Sequence, residues 1–259
     1  MRVALCQISS TTDPAANLEL VRDGVRRAAA AGARVVLFPE ATQCRFGVSL
    51  KPVAEPLDGP WAAAVRAMAV EHGVVVVAGM FTPTEDGRVT NTLLVTSADV
   101  HLGYDKIHLF DAFGFQESST VAPGSKPVTV EVDGTTLGIA TCYDIRFPEL
   151  FRALADQGAS AVLLGASWGS GPGKVEQWEL LVRARALDCT SWVLACGQAD
   201  PGDLGTTAPT GVGHSMAVGP LGAVVGRLGG EPDLLVVDVD AEAVQDARRT
   251  LPVLANRRL

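Results

Sequence analysis

Two stretches far apart in the chain share one wording, and it limits the possible folds more than any other feature. "AAGARVVLFPEA" (residues 30–41) and "DQGASAVLLGAS" (156–167) both read helix end, Gly-Ala, apolar strand. Around the first, "RVALCQIS" reads as a buried strand. Pro14 to Ala31 carries apolar positions at helical spacing, with Asp13 as N-cap and Pro14 opening the helix, and Gly32 stops it. "GPWAAAVRAMAVEHG" reads as a second helix and "VVVVAGMF" as a third strand, which makes β-α-β-α-β. After Cys142 the order returns: a helix from Pro148 to Gln157, the strand "ASAVLLGAS", a helix from Val175 to Cys189, and the strand "SWVLACGQ". Two similar halves of this kind predict an α/β fold with a two-sheet core covered by helices on both outer faces, rather than a short-period solenoid.

Between the halves, "TNTLLVTSADVHLGYDKIHLF" reads as strands and "DAFGFQESSTVAPGSKP" as a loop. "VTVEVDGTTLGIATC" reads as a hairpin turning at Asp133-Gly134. The last third adds strands and one more helix. With 259 residues and 47% hydrophobic content, one domain spanning 1–259 is expected. A formal charge of -8 argues against nucleic acid and anionic membrane surfaces and leaves small molecules as the expected partners. The opening "MRVALCQISS" has neither a long apolar run nor a small-residue cleavage site, so no membrane span and a cytoplasmic location are expected. Five cysteines in no close pair fit a reducing compartment, and Cys6 and Cys196, inside apolar runs, read as core residues.

Cys142 differs from the other four because its strand ends there and a helix follows within a few residues. Functional groups in open α/β architectures gather beyond the carboxyl ends of strands, so the position suits a nucleophile, although an ordinary thiol there would need a base or a cation to activate it. "VVLFPEA" ends an apolar strand in Glu40, which by itself fits a helix cap or a solvated carboxylate. Lys106 in "YDKIHLF" is one of only four lysines, and a lysine inside a strand by itself fits an edge facing water.

Taken together, "FPE", "DKIHLF" and "CYDIRFPEL" resemble the segments that carry the Glu-Lys-Cys triad of the nitrilase superfamily of carbon-nitrogen hydrolases, and they stand in the same order. The resemblance extends to "FQES", "ASWGSGPG", "QWELLVRARALD" and "GVGHSMAVGPLG", and so covers nearly the whole chain. It implies a four-layer αββα sandwich that pairs into a homodimer. It also implies a catalytic set of Glu40 as general base, Lys106 as oxyanion partner and Cys142 as nucleophile, with Glu117 bonding the lysine. The backbone N–H of Tyr143 would complete the oxyanion hole. Within the superfamily the wording is most similar to the deaminated glutathione amidase and omega-amidase group, which implies a small carboxylate-bearing amide hydrolysed through a Cys142 thioester. Nitrile or carbamoyl-amine hydrolysis, or a non-catalytic binding role on the same fold, stays open.

Arg146, four residues past the cysteine, is a candidate for the substrate carboxylate, or else a partner of Asp144 or Glu149. "GASWGSGPGK" lacks the G-x-x-x-x-G-K-[ST] spacing, because Val175 follows Lys174, so it reads as a pocket loop with Ser167 and Trp168 as candidate substrate contacts. Trp178, Leu181 and Leu187 fall on apolar positions of the following helix. A histidine-paired cysteine would call for a glycine-flanked elbow that "ATCYD" lacks, and a peroxidatic cysteine for a resolving partner. No metal, nucleotide or organic cofactor is implied.

Overall fold

The computed structural model describes residues 1–258. In chain order the elements are β1 (Arg2–Gln7), α1 (Pro14–Ala30), β2 (Val35–Leu37), α2 (Pro60–His72), β3 (Val75–Pro83), β4 (Val89–Thr96) and β5 (His101–Asp105). Then come β6 (Asp111–Ala112), β7 (Phe115–Gln116), β8 (Val121–Ala122), β9 (Val128–Val132), β10 (Thr135–Thr141), α3 (Pro148–Asp156) and β11 (Ala161–Ala166). The chain continues with α4 (Lys174–Cys189), β12 (Trp192–Gly197), β13 (Met216–Val218), β14 (Val224–Arg227), β15 (Asp233–Asp238) and α5 (Ala241–Thr250).

The helices start and stop where their chemistry dictates. Asp13 accepts from the Ala15 amide at the head of α1 and Pro14 follows it, while α2 ends on Gly73 in the left-handed region at φ 65°. Parallel pairing of β1, β2 and β3 forms the centre of one sheet, ordered β15-β1-β2-β3-β4-β5 with β8 beside β4. Parallel pairing of β10, β11 and β12 forms the centre of the second, ordered β14-β13-β12-β11-β10-β9. The Asp133-Gly134 turn joins β9 to β10, both residues having positive φ as a two-residue hairpin requires.

Alternate residues of each strand divide between two apolar layers. Val3, Leu5, Leu37, Val77 and Val95 of the first sheet share one cluster with Leu137, Ile139, Leu163 and Leu194 of the second, so the sheets pack face to face. Ala4, Val36, Val76 and Ala78 point the other way, against Val21 and Val25 of α1 and Val65 and Ala69 of α2. α3 and α4 cover the second sheet. This is the αββα sandwich that the repeated halves predict.

Three details depart from the sequence reading. The stretch 111–127 is not a plain loop: β6 and β7 form a short hairpin around Phe113 and Gly114, and β8 joins the first sheet. The C-terminal β15 pairs antiparallel with β1 and so returns to the sheet of the first half. On α4, Trp178 is fully buried, but Leu187 is 40% exposed although its spacing suggested a core position. Among the described residues no helix is long and apolar enough to cross a membrane.

Candidate active site

Glu40 follows β2 at the seam between the two sheets. The chain passes there because two strands present glycine to it: a Cβ at Gly79 of β3 would lie 2.4 Å from the Ala41 amide nitrogen, and one at Gly165 of β11 would lie 3.0 Å from that of Glu40. The Gln198 side chain donates to the Glu40 carbonyl, and Thr42 to that of Pro39. The carboxylate is thereby fixed, fully buried, between the layers.

Lys106 stands one residue beyond β5, an edge strand of the first sheet. Taken alone it suggested an edge lysine facing water, but it turns inward and is buried. Its Nζ donates to Glu40 Oε1 at 2.9 Å and to Glu117 Oε2 at 2.8 Å. Burial works against the ammonium, yet the charges of Glu117 and Glu40 outweigh it and hold the Lys106 pKa well above its ordinary value. Glu117 Oε2 also accepts from the Phe110 amide.

Cys142 opens a short 3₁₀ turn, Cys142–Arg146, directly after β10, and its φ of 46° is one that side-chain-bearing residues seldom adopt. Asp144 holds this turn. Its carboxylate accepts from the Thr141 amide, from the Tyr104 hydroxyl, and from the His108 amide and ring Nδ1. One buried side chain therefore ties the cysteine turn to the segment that carries Lys106. The Cys142 thiol donates to the Ser167 carbonyl at 3.7 Å. Burial, and after it the Glu40 charge, push the thiol pKa well above its ordinary value, so the resting group is S–H and not a thiolate.

All eight residues singled out in the sequence, Glu40, Lys106, Glu117, Cys142, Tyr143, Arg146, Ser167 and Trp168, line one narrow pocket. Ser167 contributes its backbone: its amide donates to Glu40 Oε2 at 2.8 Å and its carbonyl receives the thiol. The Ser167 hydroxyl is engaged by the Pro209 carbonyl. Arg146 pairs with neither Asp144 nor Glu149; it donates to Gln177 and its guanidinium carbon lies 5.1 Å from the Trp168 ring centre. Asp144 is already taken by its four donors. Among the described residues no histidine lines the pocket, and His108, which stacks on Phe147, belongs to the Asp144 network.

Sequence reasoning missed Asn91. Its Nδ2 donates to Glu40 Oε1 at 2.7 Å and to Glu117 Oε1 at 2.9 Å, so it bridges the same two carboxylates that hold Lys106. It also missed the walls formed by Phe46, Phe110, Phe115 and Pro209, and although it read the stretch ending at Lys174 as a pocket loop it gave Lys174 no role there. Chemically, the site sets a thiol beside a carboxylate that can take its proton and an ammonium that can meet a developing negative charge.

The family model for carbon-nitrogen hydrolases matches residues 2–249. The chain belongs to the carbon-nitrogen hydrolase family. A protein of Mycobacterium tuberculosis named as a hydrolase is 58% identical over 99% of this chain and 95% of its own length. The deaminated glutathione amidase of Escherichia coli O157:H7 is 33% identical, over 100% of this chain and 97% of that protein. A glutamate-to-glutamine mutant of the amidase from Nesterenkonia sp. AN1, with the acetamide moiety of fluoroacetamide added covalently at its active-site cysteine, superposes with a TM-score of 0.81 at 28% identity, covering 100% of this hydrolase and 94% of that chain.

Proposed function

We propose that this carbon-nitrogen hydrolase converts a small carboxylate-bearing amide to its carboxylate and ammonia through a thioester on Cys142. What carries the assignment is the buried Lys106 ammonium held between Glu40 and Glu117, at the floor of a pocket that opens on a protonated thiol. The amidase names of the relatives from Escherichia coli and Nesterenkonia support it.

In the first half-reaction Glu40 takes the thiol proton as Sγ bonds to the amide carbon, and the carbonyl electrons move onto oxygen. Lys106 and the Tyr143 amide stabilise that oxygen; the first amides of a helical turn have no acceptor within it. Collapse of the adduct breaks the C–N bond, and Glu40 returns its proton to the departing nitrogen, releasing ammonia. Glu117 keeps the lysine in place and orients the amide nitrogen. In the second half-reaction Glu40 takes a proton from water, the hydroxide attacks the thioester, and as the C–S bond breaks Glu40 returns that proton to sulfur, leaving the thiol and a carboxylic acid that ionises to the carboxylate on release. Arg146 and the Trp168 surface receive the remote end of the substrate.

Residues 1–259 act in this proposal as one catalytic domain, and two copies pair through an exposed apolar face. Leu180 and Leu187 of α4 are exposed, as are Leu221, Val224 and Val225 of the β13–β14 hairpin, and offer apolar surface for that pairing.

Ammonia release from 2-oxoglutaramate, succinamate, deaminated glutathione and the matching nitriles, with Cys142→Ala as control, tests the assignment. Release from the amides that disappears in the variant is the expected result. Release from the nitriles alone, or from none of the compounds, would overturn it.

A further inference from the structure

Lys174 was set aside with the phosphate-loop pattern, yet its side chain lines the pocket with Cys142 and Arg146. Its position is electrostatically unfavourable. It is the first residue of α4, whose N-terminus already carries positive character and has no side-chain cap, and a cation there opposes the helix dipole. Arg146 stands on the same wall. Among the described residues neither cation forms an ion pair with a carboxylate: Arg146 is held by the neutral Gln177 amide and the Trp168 ring. The Lys174 Nζ rests 3.6 Å from the ring centre of Phe113, a side chain 77% exposed at the tip of the β6–β7 hairpin. The acidic residue of that helical turn, Glu176, is exposed and bonds to neither.

Two cations without an ion-pair partner therefore line a pocket whose other residues include several aromatic rings and Lys106 with its partners Glu40 and Glu117. Burial, and next the charge of Arg146, lower the Lys174 pKa. An anion between the two would relieve the repulsion, and Lys174, on a flexible stem, can leave the Phe113 ring to meet it. The backbone fixes the loop side of the site as well, since the Trp168 indole donates to the Lys174 carbonyl at 2.9 Å.

We infer that Lys174 and Arg146 form a two-cation clamp for the carboxylate at the far end of the substrate, so that Lys174 is a specificity-determining residue and the preferred substrates are short aliphatic amides with one terminal carboxylate. The clamp rests on the amidase assignment above and adds to it the residue that selects the substrate class.

Kinetics with succinamate and with butyramide, its neutral near-isostere, test it. The ratio of the two kcat/KM values should favour succinamate in the unaltered protein and fall about tenfold or more in Lys174→Met, the range expected on losing a charge-assisted contact. It should fall further when Arg146→Met is added, and persist in Lys126→Met, an exposed lysine that does not line the pocket. An unchanged ratio in Lys174→Met overturns the clamp. Calorimetry with glutarate, which has no bond to cleave, reads the clamp without turnover. If the protein hydrolyses no amide but binds glutarate, and Lys174→Met weakens that binding, the amidase assignment falls and the clamp stands. If the unaltered protein does not bind glutarate, the clamp falls whatever the turnover.

Discussion

Glu40 Oε1 receives two donors, Lys106 Nζ and Asn91 Nδ2, whereas Oε2 receives only the Ser167 amide, so the second oxygen keeps the lone pair that can accept a thiol proton. Glu40→Gln should therefore lower kcat by about 100- to 10,000-fold, the usual worth of a general base. Ammonia release measures the loss, and mass spectrometry after iodoacetamide checks that Cys142 still alkylates; turnover within tenfold of the unaltered protein would place the base elsewhere. Asn91 is a positioning residue. Removing it in Asn91→Ala frees Glu40 to rotate and leaves Glu117 Oε1 without its donor, so kcat should drop while KM changes little. Asn91→Asp, which adds a third carboxylate beside one ammonium, should be worse than Asn91→Ala; a KM effect of the same size as the kcat effect in either variant would instead put Asn91 in contact with substrate. Cys142 stood out by its place at a strand end, whereas Glu40 and Lys106 read alone as a cap and an edge lysine and, with Glu117, became site candidates only through the resemblance to the nitrilase superfamily. Asn91 was not legible, because a neutral amide in "VTNTLLV" announces nothing, although an asparagine is poorly suited to a strand and asks for a reason when it stands in one.

The turn that begins at Cys142 depends on Asp144 as an element depends on its cap. Four donors converge on one carboxylate, and they come from β10, from β5 and from the segment after Lys106. Asp144→Ala leaves a buried tyrosine hydroxyl and two backbone amides unpaired at a cost of about 1–3 kcal/mol each, so a loss of several kcal/mol is expected in urea unfolding. Tyr104→Phe removes one donor and leaves the carboxylate three, and should cost only about 1 kcal/mol. Equal losses in the two variants would mean that Asp144 does not hold the turn. The sequence revealed the elements whose periods are long: α1, α2, α3, α4 and most central strands lie within a residue or two of their predicted bounds, while β2 ends at Leu37, three residues before Glu40, where the sequence reading ends it. It did not reveal β6, β7 and β8, because two-residue strands have no alternation to read, nor the exposure of Leu187, because helical spacing marks an apolar face without saying whether the same chain covers it.

At the scale of the whole molecule, the repeated halves predicted two sheets and two outer helical layers, while β15 joining β1 could not be read, since pairing across more than 200 residues leaves no local mark. The exposed apolar side chains of α4 and the β13–β14 hairpin make the proposed pairing of copies testable: if two copies pair there, Leu180→Glu halves the mass measured by light scattering, and an unchanged mass would remove Leu180 from the interface. The tight core has a further consequence through its thiols. Burial pushes Cys6, Cys142 and Cys196 well above the ordinary thiol range and Cys189 up to about 11. In the unfolded chain these groups ionise near pH 8.5, so above that pH the unfolded state binds fewer protons than the folded one and stability falls as pH rises, by about 1.4 kcal/mol per pH unit for each such thiol. Lys106, raised by its two carboxylates, adds to the same trend only above its ordinary pKa of about 10.4. Urea unfolding in the presence of reductant at pH 7.5, 8.5 and 9.5 should give a midpoint that is steady up to the thiol range and then declines steeply. Cys196→Ala removes one of these thiols, and its decline between pH 8.5 and 9.5 should be smaller by about 1 kcal/mol, whatever the variant costs at neutral pH. An identical slope in the variant would mean that Cys196 ionises as readily in the folded protein as in the unfolded chain, which its place on the central strand β12, fully buried, is expected to forbid.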